Sequence, residues 1–593
     1  MRLSIAAVAS IGAQLTAKKP PAQGSVNNVT IDPNAASPCI IGRTYYGGVL
    51  RHDVGYGGKV GKVQNPYRGM VIDYSVCGPL EGLVSMHADF VTVGFSGSAA
   101  TGYYSTFMYR DYQLGDTPES AALSPQWGGM PGWGSSHKLS GKAAILWSLK
   151  FDKDGKVYTS GVPQLGAVWD GVKVYDPRLD DTYDGGSGSH RSDDRTTWEF
   201  SEWPDDHALT YAIGHWFSGK KMFGIGLPID SIDVDAFVAW GNVCRTNGWK
   251  VGGVIFEPGD RWANLKRIMA AGSAEPIFSG GMLSVKYDAP RVSLVTITPD
   301  DYADGAYRTP GMQTWRERLN TIIPKYRSPD HKWEYVESDA ITSSTYLDED
   351  GEEKIDTYQI DLCQEKDQAA QLAAYKLVNG REMFPIERNL KPEFRFYRPG
   401  DMVTINDPEG GLIEQDCVIV RRSVDPQTLA VRWVLTSETI GKHEFALGKT
   451  GTAPPTPTLL DPADRDAAAN INNEVSGARR LVSQSVVYPI TSDDDSITIS
   501  AFVGVINDGR SISFPSDSVT GLANGTEYAL LWHIADEEYS AVEYPAETEM
   551  ADASFVFLGW VSTSTSGTFP TPDPPPGGWG GGGSYPQLPE VSP

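Results

Sequence analysis

Between Tyr175 and Asp194 the chain reads YDPRLDDTYDGGSGSHRSDD, with six aspartates and one histidine in twenty residues. Carboxylates at that density could ligate a hard cation through oxygen, or act in pairs to move protons. A calcium loop, however, needs alternating oxygen ligands, glycine at the sixth place and a closing glutamate. Asp180, Asp181 and Asp184 do precede Gly185, but their spacing fails and the glutamate is missing. The stretch is read as a solvated loop in preference to a metal site.

Other chemistry also fails on spacing. LGKTGT, from Leu447 to Thr452, contains a GKT, yet a phosphate loop requires glycine where His443 stands. His443-Glu444 opens like a zinc-protease motif, and the place of the second imidazole is taken by Leu447. Neither GFSGS (Gly94 to Ser98) nor GWGSSH (Gly132 to His137) has the GxSxG form of a nucleophile elbow. His207 and His215 are eight apart and could share a helix face, but they lack a third ligand and read as packing or surface histidines. A glycosidase needs only two carboxylates at the right separation. Glu257, just past a strand in FEPGD, is one nominee among 75 acidic residues, too many for the nomination to weigh much. No catalytic, cofactor-binding or metal-ligating residue is assigned, and no cofactor is expected.

The elements that would position these groups are mostly strands. After the break KKPPAQG (Lys18 to Gly24), the chain to about Asp170 is rich in Gly, Tyr and Val, and FDKDGKVY predicts a hairpin turning on Asp154-Gly155. From Asp233 the pattern becomes helical: Phe237, Trp240 and Cys244 share a face behind an N-cap at Asp233, and Gly248 ends the helix. WKVGGVIFE follows as a strand, then a helix from Asp260 with Trp262, Leu265, Ile268 and Met269 on one side, then a hairpin around Gly280-Gly281. A further helix is predicted from Asp367 to Asn379 with Gly380 as its C-cap. Beyond it, Pro399-Gly400-Asp401 turns into a strand at Met402 to Ile405, and VIVRRSVD with LAVRWVLTSE forms a hairpin. GTAPPTPTLLDP is a linker by composition. After it, Ala468, Ile471, Val475, Ala478 and Val482 recur three and four apart, a narrow seam expected to form a short parallel bundle between chains; a lone helix packed on its own chain is the alternative. Residues from about Ser485 to Ser564 return to strand, and the final Gly/Pro-rich tail cannot bury a core.

With 593 residues, three to five domains are expected. The net charge of -25 opposes stable nucleic-acid binding, which relies on Lys and Arg neutralising phosphates. Charge is uneven: Met1 to Arg68 holds eight basic and two acidic side chains, Leu459 to Pro593 four basic and nineteen acidic. The five cysteines, Cys39, Cys77, Cys244, Cys363 and Cys417, form no ligand spacing, which argues against a disulfide framework and for assembly in a reduced compartment. MRLSIAAVASIGAQL imitates a signal peptide, but its apolar run is brief and broken by two serines, so it is expected to stay on the chain.

Taken in order, VKVYDPRLDDTYDG, TWEFSEWPDDHALTYAIG, IDVDAFVAWGNVC and RWANLKRIMAAGSAEPIFSGGMLSVKYDAPR resemble the central region of the tip attachment proteins, the central tail hubs, of lambda-like long-tailed bacteriophages. Trp203-Pro204 stands where Asn-Pro is usual, so the match lies in order and character. QAAQLAAYKLVNGRE and RPGDMVTI are similar to hub domains of phage tails, IGRTYYGG and NPYRGMV to their N-terminal part, and the module after Ser485 to small β modules of tail-tip and fibre proteins.

The resemblance implies a virion protein at the distal end of the tail. It would be a homotrimer that closes the tail tube, contacts the tape-measure protein and other tail-tip proteins, and anchors tail fibres or meets a host surface receptor. The expected fold is multidomain α+β, mainly β. Its expected parts are an N-terminal segment (1–68), a mostly β domain (69–170), an α+β hub domain (171–300), a second hub domain (301–450), a linker and short helix (451–485), a sandwich-like β module (486–566) and a flexible Gly/Pro tail (567–593). A competing class is a phage glycan depolymerase or wall hydrolase with a carboxylate pair; a third is a secreted adhesin.

Overall fold

The computed structural model describes residues 27–31, 35–61, 63–152, 157–158, 160–257, 259–305, 307–310, 315–459, 461–466, 479–507, 510–544, 546, 549 and 554–563. The fold is multidomain α+β with strands predominating. Contacts divide the chain into two units, Met1–Lys153 with Val162–Pro462, and Asp154–Gly161 with Ala463–Pro593.

The first unit opens with a six-stranded antiparallel sheet in the order Val49–Tyr56, Tyr67–Val76, Lys142–Lys150, Met108–Gln113, Ala99–Ala100, Phe95–Ser96. The strand Tyr67–Val76 is buried without alternation from Gly69 onward, as expected of an inner strand covered on both faces. A second sheet is built around Leu165–Val174, which pairs with Leu80–Ala88, Arg43–Tyr46 and Glu199–Phe200. Its far end feeds the aspartate-rich stretch.

Three helices follow: α1 (Pro204–Ile213), α2 (Val234–Asn247) and α3 (Arg261–Ala270). In α2 the predicted face of Phe237, Trp240 and Cys244 is buried, and Gly248 closes the helix with φ 71°, a left-handed turn that glycine adopts without side-chain conflict. Asp233 stands at the N-cap position, but its carboxylate accepts from Ser284 Oγ at 2.9 Å and makes no cap bond. Asp260 does cap α3, accepting from the N–H groups of Trp262 and Ala263. The strand Gly253–Glu257 runs antiparallel to Ser37–Ile41, and the Gly280-Gly281 hairpin joins Ala274–Ser279 to Met282–Tyr287 as expected.

The rest of this unit carries α4 (Ser344–Asp350), α5 (Lys366–Asn379) and α6 (Gly441–Leu447). A five-stranded sheet has the order Thr296–Ile297, Met402–Asp407, Leu412–Val424, Val431–Ser437, Ile386–Leu390. Its core centres on Trp433, wholly buried with Ile386, Leu390, Val403 and Ile419; side chains of this size contribute about 1.5–3 kcal/mol each when fully buried. Residues 451–459 have no regular structure, and the first part of that run is tied down: Gly451 N–H donates to Asp367 at 3.0 Å and Pro454 O lies 3.0 Å from His331 Nε2.

In the second unit a six-stranded sheet runs Ser511–Phe514, Phe502–Ile506, Arg479–Gln484, Phe555–Ser562, Glu527–His533, Glu538–Glu543, with a three-stranded sheet Ile490–Ser492, Ser496–Ile499, Asp517–Thr520 beside it. Ile497, Ile499, Phe514, Leu530, Trp532 and Val556 form its core.

Two sequence readings are corrected. Val157 and Tyr158 lie in a bend, so FDKDGKVY does not return as a strand; Asp154 and Gly155 are outside the described residues. Of the proposed helical seam, Ala468, Ile471, Val475 and Ala478 lie outside the described residues, whereas Val482 sits in the strand Arg479–Gln484, 63% exposed. β-Branched Val482 follows Leu481 in a short run that suits a strand, and this strand pairs with Phe502–Ile506 with an irregularity at Val482.

Candidate functional site

The end of the Leu165–Val174 strand delivers Tyr175 and Asp176 to a single 3-10 turn, Pro177–Leu179, which Asp176 caps by accepting from the Arg178 N–H. The aspartate-rich stretch then folds back on itself. Asp180, 3% exposed, accepts from the Tyr175 hydroxyl at 2.8 Å, from the Thr182 N–H and hydroxyl at 2.8 and 2.6 Å, and from Arg191 at 3.0 Å. Burial pushes its carboxyl up, but these donors outweigh burial and hold it below the usual carboxylate range. Gly186 and Gly188 are required there, because a Cβ would stand 2.2 Å from Asp180 O and 2.4 Å from Leu179 O.

Across from this loop, α1 begins with Pro204, Asp205 and Asp206, acidic groups in the turn where the helix N-terminus favours negative charge. Arg245, near the end of α2, reaches Asp205 with Nη1 2.9 Å from both carboxylate oxygens and Asp206 with Nη2 at 3.0 Å. Arg178 closes the ring, with Nη1 2.9 Å from Asp176 and Nη2 3.0 Å from Asp205 and from Val238 O. Ser201 donates to Asp206 at 2.7 Å, and the Arg245 guanidinium lies over the Trp203 ring. Asp205 and Asp206 are 2% exposed. Burial foremost, then Asp205 and Asp176, hold the Asp206 carboxyl well above its ordinary value despite Arg245. Three aspartates and two arginines thus bind loop, α1 and α2 together.

A cleft of about 360 Å³ opens beside this cluster, lined by Asp176, Glu199, Phe200, Trp203, Asp206 and Lys250 among others. His190 also lines it, with Nδ1 accepting from the Asp176 N–H at 3.2 Å. Among the described residues no group of three or more His, Cys, Asp or Glu side chains is arranged to hold a metal ion.

The histidines singled out by spacing part company. His207 is on α1, its Nε2 2.7 Å from Ser201 O and 3.2 Å from Gly42 N, and burial lowers its pKa to about 4. His215 is beyond the helix, in the strand His215–Phe217, so the two do not share a helix face; Gly214 ends α1 between them. The side chain of Glu257 lies outside the described residues.

His443 proves to be part of a second buried network that spacing did not reveal. Its Nε2 is 2.8 Å from Glu438 and its Nδ1 3.1 Å from the Tyr375 hydroxyl, while Lys442 reaches Glu438 at 2.7 Å and Ser437 donates to Glu382. Burial acts to raise the Glu438 carboxyl, and the bond from His443 with the Lys442 charge reverses that, leaving it below its ordinary value. Through Tyr375 and His443 the network links α5 to α6, and Leu447 occupies the place a second zinc ligand would need.

The chain matches no protein-family model and no curated protein. Solved structures resemble it, among them the following three. The virion of a native gene transfer agent particle contains a chain with 15% identity and TM-score 0.46, covering 77% of this chain and 99% of its own length. A tail protein from Neisseria meningitidis MC58 has 12% identity and TM-score 0.26, covering 69% and 98%. The 43 kDa tail protein of prophage MuSo2 from Shewanella oneidensis has 10% identity and TM-score 0.25, covering 68% and 99%. All three are described as virion or tail proteins.

Proposed function

We propose that this chain is a structural protein of a phage virion, a trimeric hub at the distal tip of the tail. In that reading it closes the tail tube, contacts the tape-measure protein and anchors fibres or receptor-binding elements for host attachment and DNA delivery. The supporting observation is the convergence of three of the sequence blocks that resemble tail hubs. Asp176 and Arg178 come from the first, Asp205 and Asp206 from the second, and Arg245 directly follows the third; the five side chains form one ion cluster. The carboxylates most suited by burial to proton transfer are held by guanidinium groups, and what they do there is join elements.

The test is the mass and symmetry of the purified assembly and its place on the particle. Mass measurement and electron microscopy are expected to give three-fold particles of three 64.4 kDa chains at the end of a tail tube. A protein that is monomeric both in solution and in virions overturns the reading.

One observation favours a second reading, glycan cleavage by a carboxylate pair: Asp206, with its raised pKa, faces a cleft that also holds Glu199, Glu202 and Trp203. Incubation with host polysaccharide or peptidoglycan separates the two. Products that disappear in Asp206→Asn, with folding intact, would favour the enzyme.

A further inference from the structure

The strands His215–Phe217 and Lys220–Phe223 form a hairpin that pairs with no other strand among the described residues. Its turn is tight, with positive φ at both Ser218 (47°) and Gly219 (73°), the arrangement that suits hairpin twist. The two faces differ. Trp216 stands opposite Lys221, and both are tied back to the flanking chain, Trp216 Nε1 donating to Ile213 O at 3.0 Å and Lys221 Nζ to Ile225 O at 2.6 Å. Phe217 stands opposite Lys220, and Met222 lies two places beyond Lys220, so alternation puts these three on the other face. That face is bare: Phe217 is 42% and Met222 48% exposed, and exposed Lys220 makes no ion pair among the described residues. Phe and Met are enriched in protein contacts, and a mount fixed from behind reduces the ordering cost of binding.

A complementary seat lies at the other end of α1, whose ten residues span about 15 Å. The cleft of about 360 Å³ beside Trp203 and Asp206 holds four carboxyl groups and two Lys or Arg side chains, and no residue of the hairpin lines it. Both cations are already committed, Arg245 to Asp205 and Asp206, Lys250 to Glu202. Exposed Glu199 has no ion pair among the described residues, and Phe200 and Trp203 supply aromatic walls.

We infer that the hairpin face of Phe217, Lys220 and Met222 on one copy of the chain docks into this cleft on the next copy. The Lys220 ammonium meets the Glu199 carboxylate, and the apolar side chains meet Phe200 and Trp203. This rests on the trimeric-hub reading and names the contact through which the copies assemble. Two different patches that meet head to tail around an axis close a ring. Charge supports the choice of a second copy as occupant. With a net charge of -25 on each chain, copies repel unless cationic groups are set against acidic ones, and Lys220 and Glu199 are each left without an opposite charge on their own chain.

The experiment uses the full-length assembled protein, purified or on tail particles. A zero-length carbodiimide, which joins an amine to a carboxylate in contact with it, should give dimer and trimer bands on a denaturing gel, with Lys220 joined to Glu199 in the peptides mapped from them. A cross-linked trimer without that link overturns the docking. Lys220→Glu and Phe217→Ala change exposed side chains and should leave the circular dichroism spectrum unaltered, yet raise the concentration for half-assembly about tenfold. In Lys220→Glu/Glu199→Lys the charges are exchanged, and assembly should return. A trimer undiminished in both single variants, or a Lys220→Glu defect that Glu199→Lys does not repair, overturns the docking and leaves the hub reading standing. A chain that is monomeric in solution and in virions overturns both. Flotation with phosphatidylglycerol vesicles that Phe217→Ala abolishes, the trimer staying intact, would assign the hairpin to a lipid surface and overturn the proposal as well.

Discussion

Arg245 Nη1 stands 2.9 Å from each carboxylate oxygen of Asp205, joining the last turn of α2 to the first turn of α1. The pair lies inside a network in which Asp205 and Asp206 have almost no access to water. Arg245→Ala leaves both carboxylates short of a cation in a buried setting, and removal of one partner from such a set typically costs about 3–5 kcal/mol. The urea midpoint of the first unit should fall accordingly, and Arg245→Lys, which cannot fork, should recover only part of the loss.

Gly241 is the reason this network can form on the face of α2. A Cβ at that position would lie 1.9 Å from Asp205 Oδ2 and 2.2 Å from Arg178 Nη2. In an exposed helix Gly→Ala gains about 1 kcal/mol. Gly241→Ala is expected to reverse that sign and destabilise the first unit; a rise in its thermal midpoint would refute the account.

Two buried histidines should make the protein sensitive to mild acid. His207, fully buried, has its pKa lowered to about 4 by desolvation, and His215 is lowered likewise. Both are protonated more readily in the unfolded chain, so their contribution is complete above about pH 6.5 and is lost as pH falls toward 4; for His207 alone this amounts to about 3 kcal/mol. Glu438, also lowered when folded, adds its own loss only below its ordinary value of 4.5. Urea midpoints at pH 7.5, 5.5 and 4.5 should descend steadily, and His207→Gln should flatten that slope in part.

In the second unit Trp532 packs against Phe514 and Tyr539, with ring centroids 5.6 and 4.6 Å away, and is 3% exposed. Trp532→Ala removes most of that contact, at a cost of about 3–5 kcal/mol. Near-ultraviolet circular dichroism during urea titration should show the second unit unfolding earlier, with the Trp433 core of the first unit unaffected.

Much of the fold could be read locally. The Asp260 cap, the Gly248 stop and the Gly280-Gly281 turn are decided by a few adjacent residues, because caps and turns depend on dihedrals and bonds within a few positions. Where a short run admits two structures the local signal fails. Val482 matched a helical spacing and was drawn into a strand by a partner some twenty residues on.

The sequence by itself determined that strands predominate, where the helices α2, α3 and α5 lie, and that no familiar motif spacing is complete. It could not tell what the aspartates of Tyr175–Asp194 are for. Only the tertiary structure decided that Asp176 joins Asp205 and Asp206 beneath two arginines, and that His443 meets Glu438 and Tyr375. The charge of each group is governed by burial and by neighbours that only folding brings within bonding distance.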